Sequence, residues 1–137
     1  MTTPATTALR GALITLAKAD ATLATLMGGA VKIWEHVPEN AVHPYLELRA
    51  SGTRAWDTTG DRGKEHEVSV NCWSHEEGSK QCEAILGRLE EIWRDQRPTI
   101  ADHRVVNLEL QFADIIREEG GQTYHGFQRW RAVTEEV

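Results

Sequence analysis

An apolar stripe of helical spacing between residues 77 and 95 is the feature that most constrains the fold of this sequence. Glu83, Glu90, Glu91 and Arg94 occupy the opposite side of the predicted helix, and Pro98 ends it. Such a helix is stable when its apolar side packs against another element. The stripe recurs at intervals of three and one and consists of Cys82, Ile85, Leu86, Leu89, Ile92 and Trp93.

Alternation of apolar and polar residues predicts strands on which this helix can pack. It is clear at 45–50 and at 64–73, and a shorter strand is predicted at 31–35. The last third of the chain reads as a long hairpin over about 102–134, with residues 118–122 as its turn.

The N-terminal third of the chain predicts further helices. Ala5–Lys18 is periodic, and Asp20 can cap a second short helix that Gly28 and Gly29 stop, so two short helices or one kinked helix both fit. The predicted fold class is therefore α+β, in a single domain over residues 1–137. It has a mostly antiparallel four- to five-stranded sheet, two main helices packed on one face and a long C-terminal β-hairpin.

Composition excludes several classes of function. The formal net charge is −6 and the pI is about 5.5, which argues against a protein that binds nucleic acid by neutralising phosphates. Only two cysteines are present, too few for a disulfide scaffold. The N-terminal segment carries Arg10 and Lys18 within its apolar periodicity, unlike a signal peptide, and no apolar stretch approaches the roughly 20 residues that span a bilayer. We expect folding in a reducing cytoplasm and no membrane partner.

Residues 71–85 contain the ligand types of a zinc site. Cys72, His75 and Cys82 are present, with Glu76 or Glu77 as a candidate fourth ligand. The spacing completes neither half of a C-x2-4-C or H-x3-5-H motif, however. The sequence therefore gives a metal site little support.

A junction between a strand and a helix explains the same stretch without metal chemistry. Cys72 continues the apolar face of the strand and Cys82 opens the helix stripe, positions in which small buried thiols are common. Ser74 and Glu77 match the S-x-x-E capping box, which predicts that the helix begins directly after Ser74. Two buried thiols that pack together in apolar surroundings would be inert.

No catalytic motif is visible elsewhere in the sequence. Nucleophile elbows, phosphate loops and dinucleotide fingerprints are lacking, and the six histidines are scattered. We predict no enzymatic activity, no cofactor and no metal. Trp56 is a candidate for contact with another protein. It lies in a long polar loop at 51–63, and tryptophan is enriched at interface hot spots. The other four tryptophans, Trp34, Trp73, Trp93 and Trp130, are expected in the core or at its edge.

The order of elements resembles the tail completion, or tail terminator, proteins of long-tailed bacteriophages and gene transfer agents. Many of these proteins belong to a large family labelled as a domain of unknown function. The resemblance covers nearly the whole chain. It is carried by three stretches, "ALRGALITLAKADATLATLMGGAVKIWEHVPENAVHPYLEL", "WDTTGDRGKEHEVSVNCWSHEEG" and "FADIIREEGGQTYHGFQRWRAVTEE". It implies a structural virion protein without catalytic residues.

The resemblance also implies an assembly. Such proteins are expected to form a homo-hexameric ring that caps the head-proximal end of the tail tube. The implied partners are other copies of the chain, the tail-tube protein and a head-side connector or stopper protein. DNA would pass through the ring without specific binding, for which an acidic chain is suited. The implied location is the tail of a phage or gene transfer agent particle, assembled in the bacterial cytoplasm.

Two segments are the candidate sources of subunit contacts. A ring requires head-to-tail contacts between two different patches on each subunit. The loop at 51–63 and the protruding hairpin fit that role. The candidate interface residues are Arg54, Trp56, Asp57, Arg62, Glu118 and Glu119.

Three alternatives stay open at the level of sequence. Another head–tail connector or minor tail protein could share this fold, and a monomeric adaptor would use Trp56 and the hairpin to bind one partner. A small metal-binding enzyme would use Cys72, His75 and Cys82 and would carry stoichiometric zinc.

Overall fold

The computed structural model describes residues 3–57, 62–75, 79–118, 120 and 123–137, with the backbone alone at 51 and 52. Within these ranges the chain forms three helices and six strands. In chain order they are α1 (Ala5–Lys18), α2 (Ala21–Leu26), β1 (Ile33–Trp34), β2 (Tyr45–Ala55), β3 (Gly63–Ser74), α3 (Lys80–Trp93), β4 (Thr99–Ile100), β5 (His103–Arg117) and β6 (Tyr124–Glu136).

The strands form one mixed sheet in the order β1-β2-β3-β6-β5-β4. Every neighbouring pair is antiparallel except β1 and β2, which run parallel through two residue pairs. The α+β class and the long C-terminal hairpin β5–β6 are confirmed. The sheet has six strands where four to five were expected, because β4 is too short to show alternation of apolar and polar residues. The parallel pairing of β1 with β2 makes the sheet mixed.

α1 and α3 bury their apolar sides against one face of the sheet, and α2 packs on these two helices. The expectation of two main helices on one face holds for α1 and α3, and the six-residue α2 joins them. Asp20 caps α2 as predicted, since its Oδ2 accepts a hydrogen bond of 2.8 Å from the Leu23 amide. The buried cluster unites Leu9, Leu13, Leu23, Ile85 and Leu89 of the helices with Leu46, Leu48, Val68, Val70, Leu108 and Trp130 of the sheet.

Arg88 ties α3 to the start of α2. Its Nη2 and Nε donate to the two carboxylate oxygens of Asp20 at 2.7 and 2.9 Å. This forked geometry is the strong form of an arginine–carboxylate pair. The hydrogen bonds from Arg88 hold the pKa of Asp20 below its usual value, against the opposing effect of burial.

Two tryptophans link the helices to the sheet. Trp93 at the end of α3 and Trp130 on β6 are buried, and their rings meet edge to face with centroids 5.5 Å apart. Trp93 Nε1 donates to the carbonyl oxygen of Leu13 in α1 at 3.1 Å. The predicted core placement of these two residues is confirmed. Trp34 and Trp73 are half-buried on the opposite face.

The predicted start of the third helix is wrong. Ser74 is the last residue of β3, where it is buried and pairs with Tyr124 of β6. Its hydroxyl bonds to the side chain of Gln81, and the helix begins at Lys80 after Ser79. Pairing with β6 therefore keeps Ser74 in an extended conformation, and it does not cap the helix. Glu77, the other residue of the predicted capping box, lies outside the described residues.

Candidate assembly surface

One end of the sheet face turned away from the helices carries a ladder of alternating charges. Glu65 on β3 accepts from Arg131 on β6 at 2.5 Å and from Arg54 on β2 at 3.3 Å. Arg129 and Glu67 form a second pair across β6 and β3 at 3.2 Å. The Arg54 side chain is 80% exposed, so water screens its pairing with Glu65 and little is lost if Arg54 changes partner.

Trp56 lies against this ladder where β2 ends. The Arg131 guanidinium lies 5.0 Å from its ring centroid, a cation–π contact, while 43% of the residue stays exposed. The predicted loop at 51–63 is shorter than expected, because β2 continues through a bulge to Ala55 and β3 begins at Gly63. An aromatic ring held in place but open to solvent is suited to contact a partner.

The base of this loop is closed by hydrogen bonds that backbone amides donate. The Trp56 amide donates to the Gly63 carbonyl at 2.8 Å, and the Gly63 amide donates to Asp57 Oδ1 at 3.2 Å. The Glu136 amide donates to the Arg62 carbonyl at 2.8 Å. These bonds place Arg54, Asp57 and Arg62 around a cavity of about 270 Å³ at the end of the sheet.

Replacing Gly63 with alanine is expected to lower the free energy of unfolding by about 1–3 kcal/mol, the range for overpacking. A Cβ at this position would clash with the Trp56 carbonyl oxygen and lie 3.0 Å from the Thr134 carbonyl oxygen, and backbone atoms cannot turn aside. The measurement is urea unfolding followed by circular dichroism.

Gly87 provides the matched control. It lies within α3, and a methyl group added at its Cα would meet nothing within 4 Å. Gly87→Ala is therefore expected to raise stability by about 0.5–1 kcal/mol through helix propensity. Equal effects of the two alanine substitutions would show that the base of the loop is not tightly packed.

The remaining candidate residues belong to the opposite end of the sheet. The Glu118 amide donates to the Thr123 carbonyl at 2.8 Å, and its carboxylate lies 3.4 Å from His125 Nδ1. Glu119 lies outside the described residues. Because β6 runs from Tyr124 to Thr134 between the two ends, roughly 33 Å separates Glu118 from the Trp56 region at about 3.3 Å per residue. The candidates therefore form two patches and not one site.

An aromatic stripe crosses the same sheet face near the hairpin end, and the sequence analysis missed it. Phe112 is 49% exposed, and Ile116, in the row of His125 on the same face, is exposed as well. The stripe could not be found from the sequence, because only the strand register brings these residues, distant in sequence, next to one another. The stripe consists of Trp34, Tyr45, Trp73, His125, Phe127 and Phe112, with successive ring centroids 4.6–6.1 Å apart.

The structure does not bring Cys72, His75 and Cys82 together as a metal site, and Glu76 and Glu77 lie outside the described residues. The Cys72 and Cys82 sulfurs lie 3.7 Å apart in the core, whereas His75 is exposed and stacks on His43 with centroids 3.5 Å apart. The hydrogen bond with Cys82 and burial raise the pKa of the Cys72 thiol. Among the described residues no group of three His, Cys, Asp or Glu side chains is placed to hold a metal ion.

The fold is similar to that of a chain in a solved virion structure. A chain in the structure "Virion of native gene transfer agent (GTA) particle" superposes with a TM-score of 0.85 at 21% identity. The match covers 97% of this chain and 99% of that chain. At this level of identity the likeness establishes the fold.

The family is shown by sequence. The family model "Tail completion protein gp17" matches residues 11–135, and the chain belongs to that family. A search of curated protein sequences gave no match. The chain is thus a structural protein of phage or gene transfer agent tails, located in the virion, and not an enzyme. Among the described residues no helix is long and apolar enough to cross a membrane.

Proposed function

We propose that this protein forms a hexameric ring that caps the head-proximal end of the tail tube and joins it to the head-side connector, with DNA passing through the centre. The observation that carries the proposal is the family match over residues 11–135. The whole-chain likeness to a component of a gene transfer agent virion supports it, because little of either chain is left over for another role.

The surface of the subunit also favours a ring. Head-to-tail contacts need two different patches on each copy, and the Trp56 region and the hairpin end are two such patches. We assign the contacts to Arg54, Trp56, Asp57, Arg62, Glu118 and Glu119. The net charge of −6 suits a wall past which DNA moves without being held.

Light scattering after size exclusion tests the proposal. The purified protein alone is expected to give a species of six subunits. If it assembles only with the cognate tail-tube protein, six subunits are expected at each capped tube end. A monomer that ignores tube ends at every concentration would contradict the ring and favour a monomeric adaptor.

Replacing Trp56 with alanine is expected to weaken assembly while leaving the fold intact, because the ring is partly exposed and aromatic residues dominate interface energies. The midpoint concentration of assembly should rise about tenfold or more, for a loss of at least about 1.4 kcal/mol. Lys18→Ala, an exposed change at the end of α1, is the control. Unchanged assembly of the Trp56 variant would remove this residue from the interface.

A further inference from the structure

Four exposed side chains form one surface near the hairpin end of β5, on the sheet face away from the helices. They alternate between apolar and acidic along the chain, and we call them the hairpin patch: Phe112, Asp114, Ile116 and Glu118. Phe112 and Ile116 are 49% and 50% exposed. Large apolar side chains that lie together and open to water mark a surface for contact with another molecule.

The fold leaves this patch open on two sides. β4 pairs with β5 only at His103 and Arg104, so in the described part of the chain no strand lies beyond 107–117. The helices pack on the opposite face of the sheet. A partner can therefore approach the patch from its edge and from above the sheet.

The hairpin patch is acidic as well as apolar. Asp114 has no ion-pair partner among the described residues. Glu118 lies 3.4 Å from His125 Nδ1, and the two carry opposite charges only when the imidazole is protonated. The neighbouring Arg129 is already engaged with a glutamate of β3 at 3.2 Å, and Arg117 lies on the face turned toward the helices. The patch is thus suited to a partner that brings an apolar group and free cations.

The Trp56 region at the opposite end of the sheet has this complementary character. The Trp56 ring is 43% exposed and is held by the Arg131 guanidinium 5.0 Å from its centroid. Beside it, Arg62 and Lys64 line the cavity of about 270 Å³ and have no ion-pair partner among the described residues. An anchored aromatic ring next to free cations matches an apolar and acidic patch.

Cations exceed carboxylates around this cavity. Of the Lys, Arg, Asp and Glu side chains that line it, three are cationic and two are acidic: Arg54, Arg62, Lys64, Asp57 and Glu136. Asp57 Oδ1 is occupied by the Gly63 amide, which donates to it at 3.2 Å. The Arg54 side chain is 80% exposed, so its pair with Glu65 is screened by water and leaves Arg54 able to turn toward a new partner.

The two surfaces can meet only between copies of the chain. They lie at opposite ends of the sheet, with a separation of roughly 33 Å along β6. The cavity is lined by residues from both faces at the end of the sheet, whereas the hairpin patch belongs to one face. A contact between two different patches that face different directions is head to tail, and it turns each copy relative to the last as a ring requires.

We propose that the hairpin patch of one copy binds the Trp56 region of the next, with the Trp56 ring packed against Phe112 and Ile116 and the free cations of the cavity facing the two carboxylates of the patch. This inference rests on the proposed ring and assigns its subunit contact. Burial of the aromatic ring supplies affinity, and the complementary charges orient the two copies and speed their association.

Removing the Phe112 ring tests the apolar half of the contact in the full-length protein. Phe112→Ser is expected to raise the concentration of half-maximal assembly at least about tenfold. Val106→Ser is the matched control, because Val106 is an exposed apolar residue of the same strand, at 42%, and lies outside the patch. Equal assembly by the two variants would contradict the contact, and thermal unfolding shows whether both remain folded.

Charge reversal tests the acidic half. Asp114→Arg combined with Glu118→Arg is expected to weaken assembly at least about tenfold, because cations would then face the cations of the cavity. Adding Arg62→Glu and Lys64→Glu restores opposite charges and should recover most of the loss. A combined variant that assembles no better than the first would show that these charges do not meet.

A crosslinking variant provides an independent measurement. Arg62→Cys combined with Glu118→Cys should give a ladder of covalent oligomers with a short bifunctional maleimide, whereas either single variant should give no ladder. The separation of roughly 33 Å prevents a crosslink within one copy. The two native thiols are buried and should not compete. Light scattering of the wild type, alone and with the tail-tube protein, is run alongside.

The outcomes separate this contact from the ring itself. A wild type that assembles, with variants that assemble equally well and no covalent ladder, overturns the contact and leaves the ring standing. Crosslinking that stops at covalent dimers shows a two-fold arrangement and overturns head-to-tail pairing. A wild type that never assembles, alone or with the tail-tube protein, contradicts both proposals.

Discussion

Replacing Trp93 with alanine is expected to lower the free energy of unfolding by about 3–5 kcal/mol, the cost of a large cavity in a core. The side chain is fully buried, meets Trp130 edge to face at 5.5 Å and holds the Leu13 carbonyl by a hydrogen bond of 3.1 Å. Its loss removes the hydrogen bond to α1 and the ring contact with β6. Urea unfolding followed by tryptophan fluorescence and by circular dichroism measures the change.

Trp93→Phe separates the hydrogen bond from the packing. Phenylalanine keeps most of the buried area but removes the indole donor to the Leu13 carbonyl, so a smaller loss of about 1–3 kcal/mol is expected. If the phenylalanine and alanine variants were equally unstable, the hydrogen bond and not the packed volume would account for the role of Trp93.

Acidification from pH 7 to pH 4 is expected to cost about 3 kcal/mol through His66 alone, since each tenfold change in proton affinity corresponds to about 1.4 kcal/mol. His66 is 1% exposed, and burial lowers the pKa of its imidazole from 6.5 to about 4, with smaller effects from Lys64 and His103. Nε2 contacts Thr134 Oγ1 at 2.9 Å, and Nδ1 is buried with no partner in the described part of the chain.

The sign follows from where the proton binds. Between pH 6.5 and pH 4 the unfolded chain protonates His66 and the folded chain does not, so stability is complete above that window and falls as the pH drops through it. His66→Gln, which cannot titrate, should flatten the slope of unfolding free energy against pH over this window. Parallel curves for the two proteins would show that the pKa of His66 is the same in the folded and the unfolded state.

The elements that were predicted correctly are those whose period is unbroken. The stripe at 82–93 and the alternation at 64–73 correspond to α3 and β3, and the hairpin followed from alternation on its first strand and from the turn after it. β2 was cut short because the bulge between Ser51 and Thr53 shifts the alternation by one residue. Ser74 was misplaced because its extended state depends on pairing with Tyr124, which lies fifty residues later.

Contacts that depend on strand register could not be predicted from the sequence. Trp73 and His125 stack with centroids 4.6 Å apart only because β3 and β6 pair in one register. The same applies to Arg131 over Trp56. Trp56 and Arg54 were nevertheless found as exposed candidates, because an aromatic residue in a polar loop is conspicuous without coordinates.

The open outer edge of β5 also bears on solubility. Long exposed edges can pair with strands of other molecules, and bulges and charged side chains on an edge prevent this pairing. β5 has both devices, with irregularities between Val105 and Asn107 and between Leu110 and Phe112, and with Glu109 and Asp114 beside them. A bulged edge with charged side chains of this kind is a poor template for edge-to-edge aggregation.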